Sequence, residues 1–338
     1  MRPSSARLVN SDIRLAELQF PAGRVHVHRT RLAFIHLDNL LHFAKADRDG
    51  QVDGYVIGYL PDEVVLLLLR KGQLVNAVAI AASGRTVLPI ASALQHIRQE
   101  GERGELAYCD APLEQIAWMY QSCAANAERQ AVDLEHPESL FPTLHREGFT
   151  GVVELISDGL VNYVRLEKGE FVQGLFCNKP DATPVGPFMQ GLFAPHDDGT
   201  RREIIASAFP YAHDFPDQAS PELIQTYREL FWSIAELAER ETSGSAAKHV
   251  RSIRDLLKKV HTPLEVLGQP LDQEADDLVT TGAELTYALS DWTLQLLEQV
   301  EITAPGAAPA ILRDATRDHR YVLQRAGFYE RLPWTFAW

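Results

Sequence analysis

"RKGQLVNAVA" runs from Arg70 to Ala79, and "EKGEFVQGLF" from Glu167 to Phe176. Each places Lys-Gly after a charged residue, then a polar residue, two apolar residues, an amide and a small residue. The offset is 97 positions, and without a gap it also puts Gly54 on Gly151, Leu69 on Leu166 and Val75 on Val172. Self-similarity at a fixed period marks a duplicated structural unit. Farther along, "PIASALQHI" (Pro89 to Ile97) parallels "PVGPFMQGL" (Pro184 to Leu192), and "GELAYCD" (Gly104 to Asp110) parallels "REIIASA" (Arg202 to Ala208). "APLEQIAWMYQSC" (Ala111 to Cys123) parallels "SPELIQTYRELFWSI" (Ser220 to Ile234). The spacing drifts because the second copy has a longer loop, "FPYAHDFPDQ", Phe209 to Gln218.

Each copy predicts the same elements. A short helix or turn leads into a strand, Asp53 to Leu60 or Thr150 to Ser157. Pro61-Asp62 or Asp158-Gly159 then turns the chain, since Pro presets φ and Asp-Gly suits a tight hairpin. A second strand runs to Lys71 or Lys168. Gly72 and Gly169 free the backbone for another turn into a third strand. A helix, a fourth strand and a longer helix follow, with Pro112 and Pro221 in the last helix's first turn. The fold class is therefore α+β, two tandem repeats of a small antiparallel sheet plus helices, with a C-terminal helical module.

The copies differ in their second strands. "VVLLLLR" (Val64 to Arg70) is apolar on both faces, so the first sheet is expected to be covered on both sides. "VNYVRLE" (Val161 to Glu167) is interrupted by Asn162 and Arg165, which predicts a partly wet face.

The pattern resembles the bacterial PATAN-like domains, also called domain-of-unknown-function family 4388. "TGVVEL" (Thr150 to Leu155) resembles their opening strand, and "KGQLVNA" and "KGEFVQG" resemble the end of their second strand and its turn. The resemblance covers Leu32 to Glu239. The first copy departs from the family with "YLPDEV" at a hairpin tip that is usually polar. The resemblance implies protein–protein contacts in bacterial signalling or surface behaviour, and no catalytic residues.

The implied domains are an N-terminal extension (1–31), two repeats (32–130 and 131–240) and a helical module with an aromatic tail (241–338). "ETSGSAA", Glu241 to Ala247, reads as a linker or helix break. Beyond it, Val250, Ile253, Leu257 and Val260 share one helical face, as do Leu278, Leu285, Leu289, Trp292, Leu296 and Val300. The first of these helices is basic (Lys248, Arg251, Arg254, Lys258, Lys259). Glu265 to Glu301 holds nine acidic residues and no Lys or Arg. That contrast predicts neighbouring helices of complementary charge.

With 338 residues, 46% of them apolar and 23% charged, the chain can build a packed core. Its net charge of −14 argues against sequence-independent nucleic-acid binding and against attraction to anionic membranes. The longest apolar run, Val64 to Leu69, is far short of the roughly 20 residues a membrane helix needs. The N-terminus shows no apolar signal region. Cys109, Cys123 and Cys177 are odd in number and widely spaced, which reads as reduced thiols in a cytoplasmic protein.

No P-loop, GxGxxG, HExxH or GxSxG occurs, so the chain reads as a non-enzyme without a cofactor or metal. His26 and His28 would share a strand face, but no acidic or Cys partner stands at a ligand spacing, which favours a surface strand. His196 to Asp198 and His213-Asp214 fall in loops of the second copy, where functional residues gather. "RDHRYVLQR" (Arg317 to Arg325) reads as a solvated or acid-paired helix rather than an anion site. Aromatic residues crowd the chain's end: Phe328, Tyr329, Trp334, Phe336 and Trp338. They are the candidate partner-binding residues, because aromatic groups dominate interface energetics. Packing of this tail back onto its own chain is the commoner fate of such a segment. The expected function is a non-enzymatic cytoplasmic adaptor or regulator whose partners are other proteins or a second copy. The alternative is a sensor holding a small molecule or nucleotide between the repeats.

Overall fold

A computed structural model describes the chain apart from residues 1–5, 9–10, 47, 49–50, 126–128, 133–135, 137–138, 181, 196–198, 274–276 and 336–338. It divides into two compact units, Met1–Leu88 with Ser92–Pro216, and Pro89–Ala91 with Asp217–Trp338.

The first unit holds both repeats. In chain order its elements are β1 (Val25–Arg31), α1 (Leu37–Ala46), β2 (Gly54–Tyr59), β3 (Glu63–Arg70), β4 (Gln73–Ala81), β5 (Gly84–Leu88), α2 (Ile90–Gln99, its first two residues grouping with the second unit), β6 (Glu105–Asp110) and α3 (Leu113–Ala124). The second repeat follows with β7 (Arg129–Ala131), α4 (Leu140–Arg146), β8 (Gly151–Ser157), β9 (Leu160–Glu167), β10 (Glu170–Phe176), α5 (Val185–Phe193) and β11 (Ile204–Phe209). The fold is α+β with two antiparallel sheets, ordered β1-β6-β2-β3-β4-β5 and β7-β11-β8-β9-β10.

The duplication is exact in register. Gly54 pairs with Leu69, and Gly151 with Leu166. Both Lys-Gly pairs are two-residue turns with positive φ throughout: 49° and 74° at Lys71-Gly72, 51° and 82° at Lys168-Gly169. Such turns match the right-handed twist of the flanking strands. Even the tethers repeat. Lys71 N–H donates to Asp53 Oδ1 at 2.8 Å, and Lys168 N–H to Thr150 Oγ1 at 2.9 Å. Gly72 N–H donates to the Val52 carbonyl, and Gly169 N–H to that of Phe149. A bulge interrupts the ladder at Val75 and again at Val172.

Each strand alternates its side chains between faces. Tyr55, Ile57, Val64, Leu66 and Leu68 of the first sheet share one buried cluster with Val152, Ile156, Val161, Tyr163 and Phe209 of the second. The same cluster takes in α3 and the N-terminal residues Leu8, Ile13, Leu15, Leu18 and Phe20. Residues 1–31 are thus no appendage. β1 is a strand of the first sheet, and Gln19 bonds the β8–β9 hairpin through Gly159 and Val161. The six residues Val64 to Leu69 are fully buried, as the doubly apolar pattern predicts.

The second sheet corrects the expectation of a wet face. Its outer face buries Val153, Leu155, Val164 and Leu166 against α4 and α5. Asn162 is buried too, accepting from Cys177 N–H and donating to the Leu160 carbonyl. Its amide is satisfied internally, so it needs no water.

Into the shared core the sequence puts one ion pair. Arg85 of β5 meets Glu154 of β8 at 2.6 and 2.7 Å, and its Nη1 also donates to Ser122 Oγ of α3 at 2.7 Å. Both side chains are almost fully buried. Burial by itself would lower the Arg85 pKa, but the Glu154 charge outweighs it and raises it. Among the described residues β5 has no counterpart in the second repeat, and the sequence reading, which ran straight from third strand to helix, omits it.

The second unit gathers α6 (Pro221–Glu241), α7 (Ala247–Leu257), α8 (Pro263–Leu267), α9 (Gly282–Thr303), α10 (Ala308–Thr316) and α11 (Arg320–Arg325). The division at Pro216/Asp217 differs from the boundary expected after 240. Although α6 is the sequence counterpart of α3, its buried stripe of Ile224, Tyr227, Leu230, Phe231 and Ile234 belongs to the helical core, where Phe231 stacks on Trp292 at 4.0 Å. Within the expected linker, residues 242–246 are the turn between α6 and α7. Val260 lies past the end of α7 and is 77% exposed, so it leaves the predicted seam. Among the described residues the Trp292 indole N–H of α9 donates to the Val250 carbonyl of α7 at 3.4 Å, His261 beyond the end of α7 meets Asp291 of α9 at 3.0 Å, and Lys248, Lys258 and Lys259 face solvent. Complementary charge therefore does not assemble these helices; apolar stripes do.

Gly169→Ala should destabilise by about 1–3 kcal/mol, because a Cβ at φ +82° would lie 2.4 Å from the His145 Cα. Urea unfolding reads this, and an unchanged midpoint refutes it. Glu154→Gln should cost roughly 3–5 kcal/mol by leaving Arg85 buried without its counter-charge. Arg85→Met with Glu154→Leu should recover most of that loss, and equal losses in single and double variants would show that the charges are not coupled.

Candidate functional site

Two places in the first unit concentrate side chains that could act. One is apolar. On the outer face of the second sheet, α4 and α5 leave a groove of about 480 Å³ beside β10, lined by Phe141, Pro142, Phe171, Met189, Gln190 and Phe193 among others. Phe141 lies 5.1 Å from the Phe171 ring and 6.1 Å from that of Phe193. In the same outer-face cluster Phe176 stacks on Phe188 at 3.7 Å. Phe171 is 44% exposed and its neighbour Val172 is 48% exposed, whereas the duplicate of Val172, Val75, is 8% exposed. The sequence reading quoted this stretch without marking it. The available signal was the run of aromatic residues in "EFVQGLF" and "PFMQGLF" where the first copy has "QLVNAVA" and "SALQHIR".

The other place is polar and belongs to the long loop of the second repeat. The Tyr211 hydroxyl donates to Glu114 Oε1 of α3 at 2.5 Å and meets His213 Nδ1 at 2.6 Å. The Arg165 guanidinium lies 4.0 Å over the Tyr211 ring and 3.5 Å from Glu114. Next to His213, Asp214 pairs with Arg70, whose guanidinium lies 5.0 Å over Phe215. The loop therefore ties β3, β9 and α3 together through two arginine–aromatic contacts. Arg165, which the sequence reading took as a wet interruption, is a member of this tether. Every group here satisfies another, which makes the arrangement a brace rather than a reactive centre.

The other candidate residues separate. His26 does have an acidic partner in space, Asp110, and stacks on Tyr108 at 4.7 Å, while His28 is exposed. Among the described residues no group of three His, Cys, Asp or Glu could hold a metal. His196 to Asp198 lie outside the described residues. Arg317 pairs with Asp314, as the acid-paired reading has it. All three cysteines are buried, and burial raises the pKa of Cys109 and Cys177.

The structure places part of the aromatic tail. Phe328 is fully buried in the helical core, and Leu332 nearly so, because the turn after α11 directs them inward. Tyr329 and Trp334 pack against the same core, and Phe336 and Trp338 lie outside the described residues.

Tyr211 gives a pH signature. Desolvation first, then the hydrogen bond to Glu114 and its charge, push its pKa up to about 12 from 10.0, with Arg165 opposing. A raised pKa means that the folded chain holds the proton more tightly. The contribution is complete below about pH 10 and is lost as pH rises toward 12. The stability gap between wild type and Tyr211→Phe should therefore narrow between about pH 10 and 12 in urea titrations, and a constant gap would refute the coupling. No protein-family model, no curated protein and no solved structure matches this chain.

Proposed function

We propose that this chain is a non-enzymatic adaptor or regulator that works through protein–protein contacts, in line with its resemblance to PATAN-like domains of bacterial signalling proteins. The observation that carries the reading is the aromatic groove beside β10. Chains rarely leave exposed a patch of this kind that touches nothing, because its burial is worth roughly 25 cal/mol per Å². The duplicated unit sharpens the point. The first repeat half-buries Leu74, and the second leaves its equivalent Phe171 exposed at the groove.

The alternative of a ligand between the repeats has less room. The space between the two sheets is filled by α3, the N-terminal segment and the Arg85–Glu154 pair.

The test is proximity cross-linking in the native host with a photoreactive residue at Phe171 or, as a control, at Leu256, which is 62% exposed on the helical unit. A discrete cross-linked partner at position 171, lost in Phe193→Lys, is the expected outcome. Cross-links no different from the control would defeat the reading.

A further inference from the structure

The groove has a backbone edge beside it, and the first repeat shows what such an edge takes. β10 ends the second sheet, and among the described residues no strand pairs with its outer side. Its duplicate, β4, is not an end strand, because β5 pairs with it.

The hydrogen-bond phase can be worked out. Lys168-Gly169 is a two-residue turn, so Glu167 and Glu170 exchange the bonds that close the hairpin. Phe171 opposite Leu166 is then a non-bonded pair. The bulge at Val172 uses one extra residue opposite Arg165, so Gly174 opposite Val164 and Phe176 opposite Asn162 are non-bonded as well. In an antiparallel ladder the N–H and C=O of such residues point away from the partner strand. The outer edge of β10 therefore presents the polar backbone of Phe171, Gly174 and Phe176, of which the Phe176 carbonyl takes Lys179 N–H. The same count along β4 turns Leu74, Ala77 and Ala79 outward, and Ala77 and Ala79 are the residues that face Leu88 and Thr86 of β5. The phase is thus checked within the molecule.

Resting on the reading above, we infer that the outer edge of β10 accepts an extended segment of a partner protein as a sixth, antiparallel strand. Its recognition would be by backbone at Gly174 and Phe176 and by apolar side chains in the α4–α5 groove. By analogy with Leu88 opposite Ala77, the partner places a large apolar residue opposite Gly174, on the face where Phe171, Met189 and Phe193 line the groove. It carries no proline where its own N–H must reach β10. Main-chain bonds supply the affinity and the groove the selectivity.

The probe is a displayed library of random twelve-residue peptides selected on the full chain. Enriched peptides should be proline-free at the centre, with alternating apolar residues. Their binding should fall about ten-fold or more in Phe171→Lys and on N-methylation of alternate peptide amides. Amide exchange at Gly174 should slow on binding, a readout that does not depend on any variant folding. Peptides that need Phe171 but tolerate N-methylation, with no protection at Gly174, would overturn strand addition and leave the groove as a contact surface. Selection of nothing, together with no cross-link at position 171, would overturn both. Self-association of the wild type that Phe171→Lys abolishes would put a second copy on this edge and overturn the foreign partner.

Discussion

Glu154 is a carboxylate on the inner face of a sheet, and the placing of the two repeats depends on how it is satisfied. Its charge cannot remain in an apolar layer without a partner. Arg85 comes from the other repeat, on a strand that only that repeat has, and Ser122 of α3 completes the contact. One buried pair thus fixes three elements against one another: β5, α3 and β8. A purely apolar interface would tolerate sliding; a charge pair with bidentate geometry fixes the register. The Tyr163 hydroxyl lies in the same field, and burial first, then Glu154, holds its pKa well above the usual value.

The sharing of α3 follows from this. A small sheet has two faces to cover. The first repeat covers one with α1 and α2 and the other with α3, and the second sheet's inner face then buries against the same α3 layer and the N-terminal segment. With its inner face already covered, the second sheet has no use for a closing helix of its own. α6, the duplicate of α3 in sequence, carries its apolar stripe into the helical unit instead. Duplication made two equivalent helices, and packing gave them different employment.

That divergence marks where sequence reasoning succeeds and where it stops. The hairpins were legible because Lys-Gly, Asp-Gly and the alternating strands are local signals, and each turn's φ depends on its own two residues. The doubly buried β3 was legible because six consecutive apolar residues leave no wet face. β5 was not, because "GRTVL" is short and its Arg85 looks like a surface residue until Glu154 is placed beside it. The same holds for Asn162, whose partners are a carbonyl two residues away and an N–H fifteen residues away. The tail was read as aromatic and held in place, and Phe328 is; which surface holds it depended on the helical core. The groove was missed for a different reason. Its residues come from α4, β10 and α5, and only the second repeat makes them aromatic.

Edge strands are commonly guarded by charge, proline or a covering element, since an open one pairs with whatever it meets. The first sheet follows the rule at β4, which β5 covers, and its far edge, β1, is irregular through two register shifts. In the second sheet β7 is only three residues long, which leaves little edge to pair. β10 is the exception: seven residues, a bulge shared with its duplicate, and an apolar exposed segment at Phe171-Val172. The bulge twists the strand but does not block it, because β4 carries the same bulge and still accepts β5. Among the described residues the second sheet lacks an equivalent of β5, and that difference falls on the edge beside the aromatic groove. Of the four edges of the two sheets, β1 is irregular, β5 and β7 are short, and β10 is the long one that runs beside an apolar cleft.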